Sequence, residues 1–191
     1  MITTTGNIFS PSENSSLCLD DVAIPLSKLT RWGGTARDWT VLDHSILVYN
    51  LCWDFGYDSD SVLEAALFHD AHEFVLGDIP RTWKPVISGY AEAQLRVQAA
   101  IEAALGLRHP NQKVLEVVKE FDDMALAAEG KVVLPPEFDW VKSTAYKIPC
   151  PQIAVDATKQ LQKDRYEVGV DFIELFKFYS FNCRDMSLIR R

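Results

Sequence analysis

The sequence has 191 residues, 48% of them hydrophobic and 24% charged, which is ordinary for a globular domain that folds without disulfides or structural metals. Its formal net charge of −8 argues against a nucleic-acid-binding protein, because such proteins need a positive surface. The four cysteines are scattered without a CxxC pair, and no signal peptide or membrane-spanning run is visible. These features predict a soluble cytoplasmic protein with no membrane partner.

Helical periodicity runs through most of the chain, and we expect a single all-α domain over residues 1–191. Residues 1–16 are polar and predict a loosely held leader in front of a core over about 19–130. One helix begins at the Thr40 cap, with Asp43 as its capping-box partner, and ends at Gly56. The other predicted elements are helices over about 19–29, 58–77, 88–105, 110–128 and 152–178, and a loop at 135–140.

Ionisable side chains interrupt the apolar stripes of these helices. His44 occupies the buried stripe of its own helix, and in the next helix the apolar face turns ionisable at His69 and Asp70. Glu73 follows His69 by four residues and Asp70 by three, so it overlooks the same point. Burying an unpaired carboxylate is costly, and a metal ion is the usual compensation. The sequence therefore predicts a metal site on this face.

The helix predicted over 110–128 carries the same kind of interruption. Its stripe of Leu115, Val118 and Ala125 includes Asp122, whereas Asp123 falls on a charged face that is typical of solvent exposure. Asp122 is therefore the predicted ligand, and a shift of the helix by one residue would select Asp123 instead.

Two imidazoles and two carboxylates form a mixed nitrogen and oxygen ligand set. Such a set suits a divalent ion with open coordination positions, such as Mn, Co, Fe, Zn or Mg, and not a closed cysteine-zinc site. We expect His72 to point away from the ligands as part of the scaffold, and His109 to lie in a turn outside the site.

The pattern of His44, His69–Asp70 and Asp122 resembles the H…HD…D pattern of the HD-domain phosphohydrolases. The run HDAHEFVLGDIPRTWK is similar to the HD-A-x-E-…-G-D-[IL]-P-…-K signature of one branch, the bacterial 5′-deoxynucleotidases and phage deoxynucleotide phosphohydrolases. LDDVAIPLSKLTRWGG and TVLDHSILVYN are similar to the segments that precede and carry the first histidine in phage members. The resemblance covers residues 19–129 and implies a compact helical bundle around a divalent metal.

The resemblance also implies roles for residues outside the ligand set. Glu73 would position or deprotonate the attacking water, and Asp78 would assist near the leaving group. The substrate-binding residues that it implies are Arg31, Trp32, Gly34 and Lys84, with Arg31 and Lys84 on phosphate and Trp32 against the sugar or base. Gly33 and Gly34 would permit close backbone approach but cannot form a wall at the purine 2-position, so a substrate range broader than dATP is an alternative. Arg81 is left open between phosphate contact and solvent.

The function implied is metal-dependent hydrolysis of a deoxynucleotide, first of all of a deoxynucleoside triphosphate such as dATP, to deoxynucleoside and tripolyphosphate. The alternatives are a 5′-deoxynucleotidase acting on monophosphates and a degenerate nucleotide-sensing module. A mixed-valent di-iron oxygenase would need further ligands, which the sequence does not identify. The implied partners are a deoxynucleotide, a divalent ion (Mn, Co, Zn or Mg) and further copies of the chain in a homo-oligomer. Whether a second ion binds in the presence of substrate is left open. If the protein is phage-encoded, its location is the host cytoplasm.

Overall fold

The computed structural model describes residues 1–12, 15–35, 38–135 and 148–184. Two isolated bridges, Ile2 with Ile8 and Thr30 with Thr40, are the β-structure in these ranges, and the predicted all-α class is confirmed. No helix among the described residues is long and apolar enough to cross a lipid bilayer. The loop predicted at 135–140 lies, apart from Pro135, outside the described residues. The helices are α1 (Leu19–Leu26), α2 (Val41–Asp54), α3 (Asp60–Phe68), α4 (Glu73–Leu76), α5 (Tyr90–Leu105), α6 (Gln112–Val132), α7 (Gln152–Lys163) and α8 (Phe172–Arg184).

Helix α2 forms the centre of the bundle, where it packs against α3, α6, α7 and α8. The predicted capping box starts it: the Asp43 N–H donates to Thr40 Oγ1 at 3.3 Å, and the Thr40 N–H donates to Asp43 Oδ2 at 2.6 Å. Every residue from Val41 to Cys52 except Asn50 is buried. A helix covered on all sides in this way holds its side chains in fixed positions, and His44 is one of them.

The helix predicted over about 58–77 is broken after Phe68. The chain makes tight three-residue turns here, because the Ala71 N–H bonds to the Phe68 carbonyl and the Glu73 N–H to the Asp70 carbonyl, both at 3.0 Å. Helix α4 then begins at Glu73 and ends at Gly77, whose φ of 80° suits glycine. In such tight turns residues three apart lie on the same side, so Asp70 and Glu73 project together.

Helix α6 differs from its prediction in length and at one residue of the predicted buried stripe, Leu115. Asn111 caps it by accepting the Val114 N–H at 3.1 Å, but Leu115, expected to face inward, is 46% exposed. The helix continues four residues past the predicted end at Ala128, so Glu129 is helical and buried. The buried apolar side chains of α6 are Val114, Val118, Phe121, Met124, Ala125, Ala127 and Ala128.

The C-terminal helix expected over about 152–178 consists of two helices. A π-type turn, Asp164–Val168, follows α7, and Gly169 with a φ of 75° then reverses the chain. The Asp171 side chain accepts the Ile173 N–H at 2.9 Å in front of α8. Glycine and the aspartate cap break the continuity that the apolar pattern alone indicates.

The leader expected to be loosely held makes definite contacts along its described residues. Asp21 of α1 is fully buried and accepts the backbone N–H and hydroxyl of Thr5, at 2.9 and 2.7 Å, and the Asn7 amide at 3.0 Å. Phe9 is buried in the core. A buried carboxylate requires such partners, and supplying them holds the leader against α1.

Candidate metal centre

Two histidines from different elements meet at the centre of the bundle. The Nε2 atoms of His44, in α2, and His69, directly after α3, lie 3.2 Å apart. Asp70 Oδ2 lies 3.3 Å from His69 Nε2 and 3.7 Å from His44 Nε2. Ligand atoms about 2.1 Å from a tetrahedral ion lie about 3.4 Å from one another. The spacing of these three side chains therefore fits a shared metal ion.

Hydrogen bonds to the opposite ring nitrogens fix both imidazoles. His44 Nδ1–H donates to Glu129 Oε1 at 2.6 Å, and His69 Nδ1–H donates to the Ala66 carbonyl at 2.8 Å. Because these oxygens accept the Nδ1 protons, both Nε2 atoms carry lone pairs directed at the same point. When both rings are neutral, two lone pairs 3.2 Å apart repel each other unless a metal ion lies between them, and protonation of one ring would turn the contact into a hydrogen bond.

The surrounding carboxylates make this point attractive to positive charge. Burial and Arg31 disfavour a charged His44, but Glu129 and Asp122 outweigh them and raise the pKa of His44. Burial likewise disfavours a charged His69, and Asp70 with Asp122 nevertheless raises the pKa of His69. Protons therefore compete with metal ions for the two Nε2 atoms, and the affinity of the site for a metal ion rises with pH.

Asp122 and Asp123 take different positions on α6. Asp122 Oδ1 lies 3.2 Å from His44 Nε2, while its Oδ2 accepts from Arg81 at 3.2 Å and Lys119 at 2.9 Å. Asp123 contacts the same Arg81 and Lys119. Although burial opposes ionisation of Asp122, its contact with His44 keeps the pKa of Asp122 well below the usual range. Asp122 therefore offers one oxygen to the histidines and has the other held by cations.

Glu129 is a part of the site that sequence reasoning missed. It is fully buried, and Arg31 Nε donates to its Oε2 at 3.1 Å, opposite its bond with His44. Arg31, expected to hold phosphate, is itself 91% buried at its side chain, with Nη1 3.8 Å from Asp70 Oδ2. The signal for Glu129 was present, because it follows Ala125 by four residues on the stripe that contains Asp122. The predicted helix end near Ala128 concealed it.

Glu73 and Lys84 form the other end of the centre. Glu73 is 1% exposed; its Oε1 accepts from Lys84 Nζ at 3.2 Å, and its Oε2 is buried with no hydrogen-bond partner among the described residues. Burial, together with Asp70 and Asp78, raises the pKa of Glu73 to about 9. Burial also raises the pKa of Asp78. Both expected proton-handling acids thus retain protons more strongly than exposed carboxyls do.

The turn that carries Trp32 leaves open space beside the site. Trp32, Gly33 and Gly34 have φ values of 60°, 60° and 80°, a conformation that a bulky residue such as Trp32 rarely adopts. A β-carbon on Gly33 would meet no atom within 4 Å, and one on Gly34 only Thr30 Oγ1 at 3.9 Å. Trp32 is partly buried and packs against the core.

The remaining histidines lie in different environments. His72, expected to point away, is fully buried, and Asp70, His72 and Glu73 offer ligand atoms within 4.8 Å of one another. The tight turns after Phe68 explain the difference, because they rotate successive side chains further than an α-helix does. His109 is 83% exposed at its side chain and bonds to Glu102 at 2.9 Å.

Comparison with known proteins gives little functional information. No family model matches this chain. An uncharacterized protein of Rhodobacter capsulatus is similar to it, with 38% identity over 97 residues that make up 47% of this chain and 48% of that protein. The chain thus matches about half the length of this curated relative.

Proposed function

We propose that this protein is a divalent-metal-dependent phosphohydrolase of deoxynucleotides, and that its first substrate class is deoxynucleoside triphosphates. The observation that carries this proposal is the pair of Nε2 atoms 3.2 Å apart, on His44 and His69, beside Asp70 and the buried acid Glu73. The resemblance of the H…HD…D pattern to HD-domain phosphohydrolases points to the same chemistry.

The residues present fit a divalent ion. His44, His69 and Asp70 would hold it, with one oxygen of Asp122 next to them. Mn, Co, Zn and Mg all accept such mixed ligands. A bound ion lowers the pKa of a water molecule and polarises a phosphoryl oxygen.

Glu73 and Asp78 supply the proton transfers that hydrolysis requires. In the proposed reaction a water oxygen bonds to the α-phosphorus while the bond from that phosphorus to the 5′-oxygen breaks. With a divalent ion bound beside it, Glu73 would be ionised despite its burial and would accept the proton of the attacking water. Asp78, whose pKa is raised by burial, would donate a proton to the departing 5′-oxygen. The products are deoxynucleoside and tripolyphosphate, and a later exchange with solvent restores both acids.

The substrate side of the site supports a broad base range. Lys84 and Arg31 bring positive charge next to the ligands, and Trp32 offers an indole face to sugar or base. The space over Gly33 leaves room for a purine 2-amino group. We therefore expect dATP and dGTP to be hydrolysed with similar kcat/KM.

A 5′-deoxynucleotidase acting on monophosphates is the second candidate. The observation in its favour is that the cations at the site already contact acids of the chain: Arg31 contacts Glu129, Lys84 contacts Glu73, and Arg81 contacts Asp122. Because these cations are already paired with acids, the positive charge left for a substrate suits one phosphate group better than three.

The decisive experiment incubates the protein with the four deoxynucleoside triphosphates, the matching ribonucleotides and the deoxynucleoside monophosphates, each with Mn, Co, Zn or Mg. Ion chromatography separates tripolyphosphate from orthophosphate. Tripolyphosphate release supports the first candidate, and orthophosphate released from monophosphates alone supports the second. Stoichiometric metal binding without hydrolysis of any nucleotide contradicts both.

A further inference from the structure

Asp70 also belongs to a second group of side chains that could hold a metal ion. Asp70, His72 and Glu73 offer ligand atoms within 4.8 Å of one another. His72 is 0% and Glu73 1% exposed, and both His72 Nε2 and Glu73 Oε2 lack a hydrogen-bond partner among the described residues. Buried polar atoms without partners are costly, and a ligand bound by both side chains would remove the cost.

Gln98 of α5 determines which nitrogen of His72 is available. The Gln98 side-chain N–H₂ donates to the Phe68 carbonyl at 3.0 Å and to Glu102 Oε1 at 3.1 Å. This leaves Gln98 Oε1 facing His72, where it accepts the His72 backbone N–H at 3.1 Å and Nδ1–H at 3.3 Å. With the proton on Nδ1, Nε2 presents a lone pair, which is the form that binds metals.

We infer that Asp70, His72 and Glu73 form a second divalent-cation site, which shares Asp70 with the His44–His69 site. Lys84 holds Glu73 Oε1 and leaves Oε2 for the ion when no substrate is bound. In the proposed reaction the same oxygen would accept the proton of a water molecule held by this ion. The remaining coordination positions of this second ion are open to water or phosphoryl oxygens, as in two-metal phosphohydrolase sites with ions about 4 Å apart. The role of this ion rests on the proposed function, whereas its ligands are independent of the substrate.

The test counts ions without measuring activity. Metal-free protein is dialysed against a series of Mn²⁺ concentrations at pH 8, and bound manganese per chain is measured by elemental analysis. We expect two ions in the wild type and one in His72→Gln. The matched variant His109→Gln, which changes a histidine with an 83% exposed side chain, should still bind two.

A second variant covers the case in which His72→Gln does not fold. Gln98→Met leaves every proposed ligand in place but removes the hydrogen bond that fixes the His72 imidazole, so the weaker of the two affinities should fall about 10- to 100-fold while the stronger is unchanged. Wild-type protein that saturates at one ion, or His72→Gln that still binds two, overturns the second site. The one-ion result leaves the proposed function standing, whereas wild-type protein that binds no ion contradicts both.

Discussion

The His44–His69 side of the centre and its His72–Glu73 side share Asp70 but differ in how completely their ligand atoms are held. On the first side each histidine donates its Nδ1 proton, one to Glu129 and one to a backbone carbonyl. On the second side His72 Nε2 and Glu73 Oε2 are buried without partners. A ligand set fixed by surrounding bonds binds an ion with little reorganisation, whereas the unpartnered atoms gain most when a ligand arrives.

Removing the shared Asp70 together with His69 of the first side should have the largest effect. In the double variant His69→Ala, Asp70→Ala we expect no stoichiometric metal binding and a loss of kcat/KM of about a thousandfold or more, because the metal contributes several kcal/mol to catalysis. Elemental analysis and the nucleotide assay measure the two effects. Full activity in this variant would show that the chemistry lies elsewhere.

The neighbouring acids of α6 provide a matched pair on the first side. Asp122→Asn should weaken Mn²⁺ binding on the order of a hundredfold, more than a change outside the ligand shell does. Asp123→Asn loses the same charge and the same kind of contacts to Arg81 and Lys119, but it removes no proposed ligand. The affinity of this variant for Mn²⁺ should therefore stay within about twofold of the wild-type value. Calorimetric titration with Mn²⁺ measures the affinity of both variants. A larger loss of affinity in Asp123→Asn than in Asp122→Asn would make Asp123 the ligand.

Glu129 tests how much the first side depends on support for its ligands. Glu129→Gln keeps the shape but removes the charge behind His44, and we expect metal affinity to fall about tenfold. Glu64→Gln is the control, because Glu64 is also buried but accepts the Arg108 N–H at 2.7 Å. Both variants should lose stability in urea, but only the first should lose metal affinity. Equal metal affinity in the two variants would remove Glu129 from the site.

The pH dependence of stability tests the second side. The pKa of Glu73 is raised from an ordinary 4.5 to about 9, so folding takes up a proton between these values. Stability of the metal-free protein should therefore fall as pH rises through this window, by at most about 1.4 kcal/mol per pH unit. Glu73→Gln removes this contribution. In urea unfolding experiments with EDTA, the free energy of unfolding of the variant relative to the wild type should therefore increase from pH 5 to pH 8. A constant difference would mean that Glu73 is ionised throughout.

The sequence predicted the helical class and the start of α2 because periodicity and capping are local properties. The Thr40–Asp43 box needs only residues three apart, and it forms as expected. The proximity of His44 to His69 also follows from both lying on apolar stripes that must face one core.

Features that depend on neighbouring elements were not predictable in the same way. The break after Phe68 comes from tight turns that an ideal helical projection cannot show, and those turns bring His72 into the site. Leu115 is exposed because burial along α6 depends on the elements packed against it, although Asp122 still reaches His44. Gly169 marked the break in the C-terminal helix, but the surrounding apolar residues fit one helix equally well.

The position of the histidine pair has a consequence for folding as well as for chemistry. His44 comes from α2, His69 and Asp70 from the turn after α3, and Asp122 from α6, so an ion among them would tie together segments that are distant along the chain. It would act as a reversible cross-link that the unfolded chain does not form. At a hundredfold excess over its dissociation constant such an ion adds about 2.7 kcal/mol to stability. The protein's resistance to heat would then report the supply of metal around it.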